Sequence, residues 1–211
     1  MGTGNGPHRS GRVLELGSEV GASAAVILLH GRHDSPERIA ELAPRLGGRS
    51  RWFLAPSAAG GSWYPHSFLD PLERNQPWLD SALAAVDDVV ERVDRAGLPR
   101  SRTALVGFSQ GACLALEYLA RRPARYGAVI GLIGGLIGPP DHTGRLDGTP
   151  VLLACGDNDD HVPLARVRET ASALAGMGAR VRLEVRPGGA HEIDDTGIAA
   201  AAELLDSMTR P

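Results

Sequence analysis

The chain has 211 residues, which suits one domain with a sizeable core. It is 43% apolar and 22% charged, a balance ordinary for a globular protein that argues against global disorder. The net charge of −3, with no basic block or acidic tail, argues against a nucleic-acid partner or an anionic membrane surface.

Residues 1–12, "MGTGNGPHRSGR", read as a flexible N-terminal arm. They contain no apolar stretch for a signal peptide, and Gly6 stands where a myristoylation signal needs Ser or Thr. Residues 13–211 read as a single domain. "AAVILLH" (24–30) is a buried strand ending at Gly31. "DSPERIAELAPRL" predicts a helix capped at Ser35, with Pro36 in its first turn. "RWFLAP" (51–56) is a further short strand. Residues 79–97 form the clearest helix, with Leu79, Leu83, Val86, Val90 and Val93 on one face and Gly97 to stop it. The strand "TALVGF" (103–108) and a helix follow. Then come strands at 127–134 and 150–156, a helix over 163–178, a strand at 181–188 and a closing helix. Strands alternate with helices throughout, so the predicted fold is α/β, a mostly parallel sheet covered on both faces. No apolar run approaches ~18 residues, so no membrane span is expected, and the cytoplasm is the expected location.

"VGFSQGACLALEYLARR" (106–122) places Ser109 between two glycines at a strand-to-helix junction. Gly107-Phe108-Ser109-Gln110-Gly111 is the G-x-S-x-G pattern of a nucleophile elbow. A serine on so sharp a turn needs small neighbours two positions away on either side. The following helix aims its first amides at charge developing beside the serine. A serine needs a base, and the base an orienting acid, in the chain order Ser, Asp, His on this architecture. "CGDNDDHVP" offers Asp157, Asp159 and Asp160, and "PGGAHEID" offers His191. Oxyanion donors are expected from the backbone N–H groups of Gln110 and, in "LLHGRHDS", of Arg32, while His30 shapes that turn structurally. Four of the nine aromatic residues, Trp63, Tyr64, Phe68 and Trp78, lie in one Pro-rich loop, and the first three are expected to line an apolar acyl or aryl pocket. Trp78 reads as the most structural of the four.

Cys113 and Cys155 sit in apolar runs and read as buried reduced thiols. No metal cluster or dinucleotide fingerprint is apparent, and all 22 basic residues are arginine, so no cofactor, metal or lysine chemistry is expected.

"LHGRHDS", "APSAAGGSWYP", "LVGFSQGACLALE", "LIGGLIG", "CGDNDDHVP" and "GGAHEI" occur in family order. Together they resemble the phospholipase/carboxylesterase family of α/β-hydrolases, which includes the acyl-protein thioesterases. The resemblance implies an α/β-hydrolase fold with no large cap domain, and Ser109 as nucleophile, His191 as base and Asp159 as its acid. His33 stands where glycine is common in relatives. The function it implies is cofactor-free hydrolysis of a small carboxylic ester or thioester through an acyl-enzyme. The alternative is an acyltransferase or cyclase using the same three residues. A homodimer is left open.

Overall fold

The computed structural model describes residues 6–8, 11–47 and 50–209. Its centre is a seven-stranded sheet in the order β1-β3-β2-β4-β5-β6-β7. The strands are β1 (Val13–Leu16), β2 (Ala24–Leu29), β3 (Arg51–Pro56), β4 (Thr103–Phe108), β5 (Ala128–Leu132), β6 (Pro150–Gly156) and β7 (Arg180–Arg186). β1 runs antiparallel to β3, and all other pairings are parallel. The α-helices are α1 (Pro36–Ala40), α2 (Trp78–Arg95), α3 (Gln110–Arg121), α4 (Leu164–Gly176) and α5 (Asp195–Ser207).

All six residues of β2 are buried, as a strand covered on both faces requires. Period-two alternation divides its side chains between two cores. Ala25, Ile27 and Leu29 join the layer beneath α2, α3 and α4. Val26 and Leu28 join the layer beneath α1 and α5. The stripe Leu79, Leu83, Val86, Val90 and Val93 faces the first of these layers, and each of its side chains contributes roughly 1.5–3 kcal/mol by leaving water.

Register places the functional edge. β4 pairs Leu29 with Gly107 on one side and Leu132 with Phe108 on the other. Ser109 therefore emerges at the carboxyl end of a central strand, where open α/β sheets bind ligands.

Four details depart from the sequence reading. β1 was not anticipated, because "VLEL" is half-buried to exposed and shows no core pattern; its backbone pairing with β3 holds it. The helix expected through Leu46 stops at Ala40 and resumes as a 3₁₀ turn over Ala43–Leu46. Pro44 has no N–H to continue the α-helical ladder. The strand expected over 127–134 ends at Leu132, because Ile133 takes a left-handed backbone with φ of +63°. Of the arm read as flexible, residues 1–5 and 9–10 lie outside the described residues, and at His8 the chain is anchored. His8 is buried, its backbone N–H donates to Ser81 Oγ (2.9 Å), and its ring bonds the Trp63 carbonyl and the Ala59 amide.

The elbow glycines are explained by backbone contact. A Cβ on Gly107 would lie 2.2 Å from the Gly111 carbonyl oxygen, and one on Gly111 would lie 2.1 Å from that of Leu29. Neither obstacle is a movable side chain. Gly111→Ala is expected to cost more than about 2 kcal/mol in urea unfolding, through forced backbone displacement. Gly176→Ala, in α4 with open space around it, should instead stabilise by about 0.5–1 kcal/mol.

Candidate active site

Ser109 has φ of +53° and ψ of −118°, a backbone state that costs a non-glycine residue about 1–3 kcal/mol. Two hydrogen bonds hold it: Ser109 N–H donates to the Leu132 carbonyl (3.0 Å), and Cys113 N–H donates to the Ser109 carbonyl (3.0 Å). The turn projects the hydroxyl to within 2.8 Å of His191 Nε2. His191 Nδ1 lies 2.8 Å from Asp159 Oδ2.

The three candidate aspartates separate by their bonding. Asp159 Oδ1 accepts from the N–H groups of His161 (2.7 Å) and Val162 (2.8 Å), leaving Oδ2 for the imidazole. Burial pushes the Asp159 carboxyl up, but the Val162 and His161 amides and the His191 ring together outweigh it and hold the group below its ordinary value. Asp157 accepts from Gly188 N–H and so ties its loop to the one carrying His191. Asp160 is exposed. The two loops are laced further by Asn158 N–H donating to Gly189 O (3.0 Å), and a Cβ on Gly156 would lie 1.9 Å from that same oxygen. In "PGGAHEID", Gly189 thus serves loop-to-loop contact, whereas Gly188 has open space around it and takes a left-handed backbone with φ of +68°.

Around Ser109 lies a cleft of about 650 Å³. Arg32 and Gln110 both line it, and among the described residues neither backbone N–H donates to a protein acceptor. The Gln110 amide is one of the orphan donors of the first turn of α3. Tyr64, Phe68, Cys113 and Val162 supply apolar wall, while His33, Asp34, Arg38 and His161 supply polar rim. His33 has φ of +56°, which accounts physically for a position favouring glycine.

Trp63 is corrected. It was expected to contact substrate, but it is fully buried and is not part of the cleft wall. Its indole N–H donates to the His30 carbonyl (2.9 Å), and its ring lies against those of His30 and His8. His30 has the structural role anticipated. Its Nδ1–H donates to the Gly31 carbonyl (2.8 Å) and its Nε2 accepts from Ala58 N–H (3.1 Å). Burial holds both His30 and His8 below the ordinary histidine value.

The sequence reading missed the side chain of Gln110. Its Oε1 accepts from Trp63 N–H (2.8 Å) and its Nε2 donates to the Tyr64 carbonyl (2.7 Å). The residue after Ser109 therefore clamps the loop at Trp63 and Tyr64. Its amide side chain in an otherwise apolar helix start was the available signal. Arg32 adds a second clamp, donating to the carbonyls of Pro65 (3.1 Å) and His66. Both cysteines are free and buried, and burial pushes each thiol up to about 11, which keeps them protonated and unreactive. Among the described residues, no helix is long and apolar enough to cross a membrane.

Comparison with known proteins bears on the family and the fold. The model of the phospholipase/carboxylesterase family matches residues 17–209. A phospholipase/carboxylesterase structure from Dyadobacter fermentans DSM 18053 is 38% identical, covers 93% of this chain and 96% of that one, and superposes with a TM-score of 0.88. The structure of esterase PE8 is 28% identical, with 94% and 98% coverage and a TM-score of 0.79. Esterase YpfH of Escherichia coli (strain K12) is 25% identical over 201 residues, 87% of this chain and 82% of that protein. With the fold, the elbow and the sequence match in agreement, the chain belongs to the phospholipase/carboxylesterase family of α/β-hydrolases and is an esterase-type hydrolase.

Proposed function

We propose that the chain hydrolyses carboxylic esters or thioesters through an acyl-enzyme on Ser109. The observation that carries this reading is the continuous hydrogen-bonded series Asp159–His191–Ser109, with 2.8 Å at each junction. Asp159 holds the imidazole in the Nδ1–H tautomer, which leaves the Nε2 lone pair facing the hydroxyl. Ser109 Oγ attacks the carbonyl carbon as His191 Nε2 takes its proton. The oxyanion accepts from the Arg32 and Gln110 amides, helped by the N-terminal dipole of α3. His191 returns the proton to the departing alcohol or thiol. Water then attacks the acyl carbon with His191 again as base, and Ser109 is released.

The apolar wall of Tyr64, Phe68, Cys113 and Val162 receives the acyl or aryl part of the substrate. Product analysis with a competing alcohol separates hydrolysis from acyl transfer, since both begin from the same acyl-enzyme.

Ser109→Ala should leave the melting temperature close to that of the parent. It should lower kcat on p-nitrophenyl esters by roughly 10⁴-fold or more and abolish fluorophosphonate labelling; near-normal turnover would remove the reading. Asp159→Asn can still accept the His161 and Val162 amides, but not the Nδ1–H of His191. It should cost about 10⁴-fold in kcat, against less than about tenfold for Asp160→Asn. The reverse ranking would reassign the acid.

Phe68→Ala should lower kcat/KM for an octanoyl ester by about 1–3 kcal/mol, while leaving an acetyl ester nearly unchanged. Trp63→Ala should behave differently. It should lower the melting temperature strongly and reduce activity on both esters alike, as the loss of a fully buried ring costs about 3–5 kcal/mol. Equal, chain-length-independent losses in both variants would refute the division between wall and support.

A further inference from the structure

The backbone N–H of His161 bonds Asp159, but its imidazole has no part in the reaction described above. It is exposed, its ring centroid lies 4.8 Å from that of His191, and it belongs to the same loop as Asp159. One ligating atom from each of Asp159, His161 and His191 falls within 4.8 Å of the other two. Two imidazoles and one carboxylate are a donor set that suits zinc-type ions.

We propose that Asp159, His161 and His191 form an inhibitory site for a divalent transition-metal ion such as Zn²⁺ or Cu²⁺. Donors at ~2.0–2.1 Å around a tetrahedral ion stand about 3.3 Å apart. The 4.8 Å span must therefore close by about 1.5 Å, a displacement within reach of a rotation of the exposed His161 side chain. The exposed carboxylate of Asp160, next in chain to His161, adds negative charge at the same edge. The open cleft gives the ion a path. An ion held here engages His191 and takes it out of proton transfer. It occupies the lone pair that faces Ser109, or it displaces the Asp159 bond that sets the tautomer. Binding is a dative exchange with no net redox change. The inhibitory consequence rests on the proposed role of His191 as base, whereas the binding itself does not.

The test is isothermal titration calorimetry of untagged protein with Zn²⁺, beside ester hydrolysis with and without EDTA. The parent protein and Ser109→Ala should bind one ion with similar affinity. Hydrolysis by the parent should be inhibited at the concentrations that saturate binding and restored by EDTA. His161→Leu removes one of the two imidazoles at an exposed position. It should keep the melting temperature and weaken both binding and inhibition, each measured against its own metal-free rate, by about tenfold or more. His161→Cys supplies another donor and should retain binding. Cu²⁺ should bind more tightly than Zn²⁺, and Mg²⁺ and Ca²⁺ should have no effect, as oxygen-seeking ions. Zinc affinity unchanged in His161→Leu, or absence of binding by the parent at millimolar Zn²⁺, would overturn the proposal. Calorimetry reads the ion without turnover. Zinc binding that depends on His161, in a protein that forms no acyl-enzyme on Ser109 with any ester, would therefore support the metal site while refuting the proposed mechanism.

Discussion

The structure depends on how closely the backbone of the 107–111 elbow packs against itself and against β2. Ser109 is held in a state that ordinary residues avoid. It stays there because Gly107 and Gly111 let carbonyls approach to distances that no Cβ would permit. Bonds to Leu132 and Cys113 close the turn on its other sides. Strain at one residue is thus offset by contacts made across three elements. That arrangement fixes where the hydroxyl stands before any substrate arrives, and preorganisation of this kind lowers the cost of reaching a transition state.

The same economy governs the loops around the elbow. The segment from Ala58 to Tyr64 has only one 3₁₀ turn of its own. It is held by polar groups that reach it from three directions. His30 and His8 accept from its consecutive amides at Ala58 and Ala59, and Gln110 bonds both Trp63 and Tyr64. Each imidazole also meets a backbone carbonyl, so every ring nitrogen has one partner in the neutral form. Burial favours that neutral form in both residues. Buried polar groups satisfied in this way define a single loop conformation. Tyr64 and Phe68 consequently reach the cleft from a fixed base, while Trp63 turns inward as part of that base.

On the opposite edge, the loops that carry Asp159 and His191 support one another. Gly156 and Gly189 are in backbone contact, Asp157 caps the turn at Gly188, and Asp159 spends one oxygen on its own loop and the other on His191. This division of its two oxygens sets Asp159 apart from the other two aspartates. Its neighbours differ in their surroundings: Asp157 accepts from Gly188 N–H and Asp160 faces solvent.

The sequence by itself determined the alternation of buried strands and helices, because six-residue apolar runs and a 3.6-residue stripe are local patterns. It determined the elbow as well, because G-x-S-x-G answers a steric demand confined to five residues. It placed His191 and a group of three aspartates after the last two strands, where the structure has them, but spacing along the chain could not choose among aspartates two and one residues apart. It could not tell that Trp63 supports the cleft while its neighbour Tyr64 lines it, since both belong to one aromatic loop of uniform composition. Nor could it show His8 anchored, the edge strand β1, or the side chain of Gln110 reaching back to residues 63 and 64. Those outcomes depend on hydrogen bonds between residues separated by 46 to 73 positions and on backbone pairing at a sheet edge. Only tertiary structure decided them, because burial and partner geometry are properties of the assembled surface and not of any one segment.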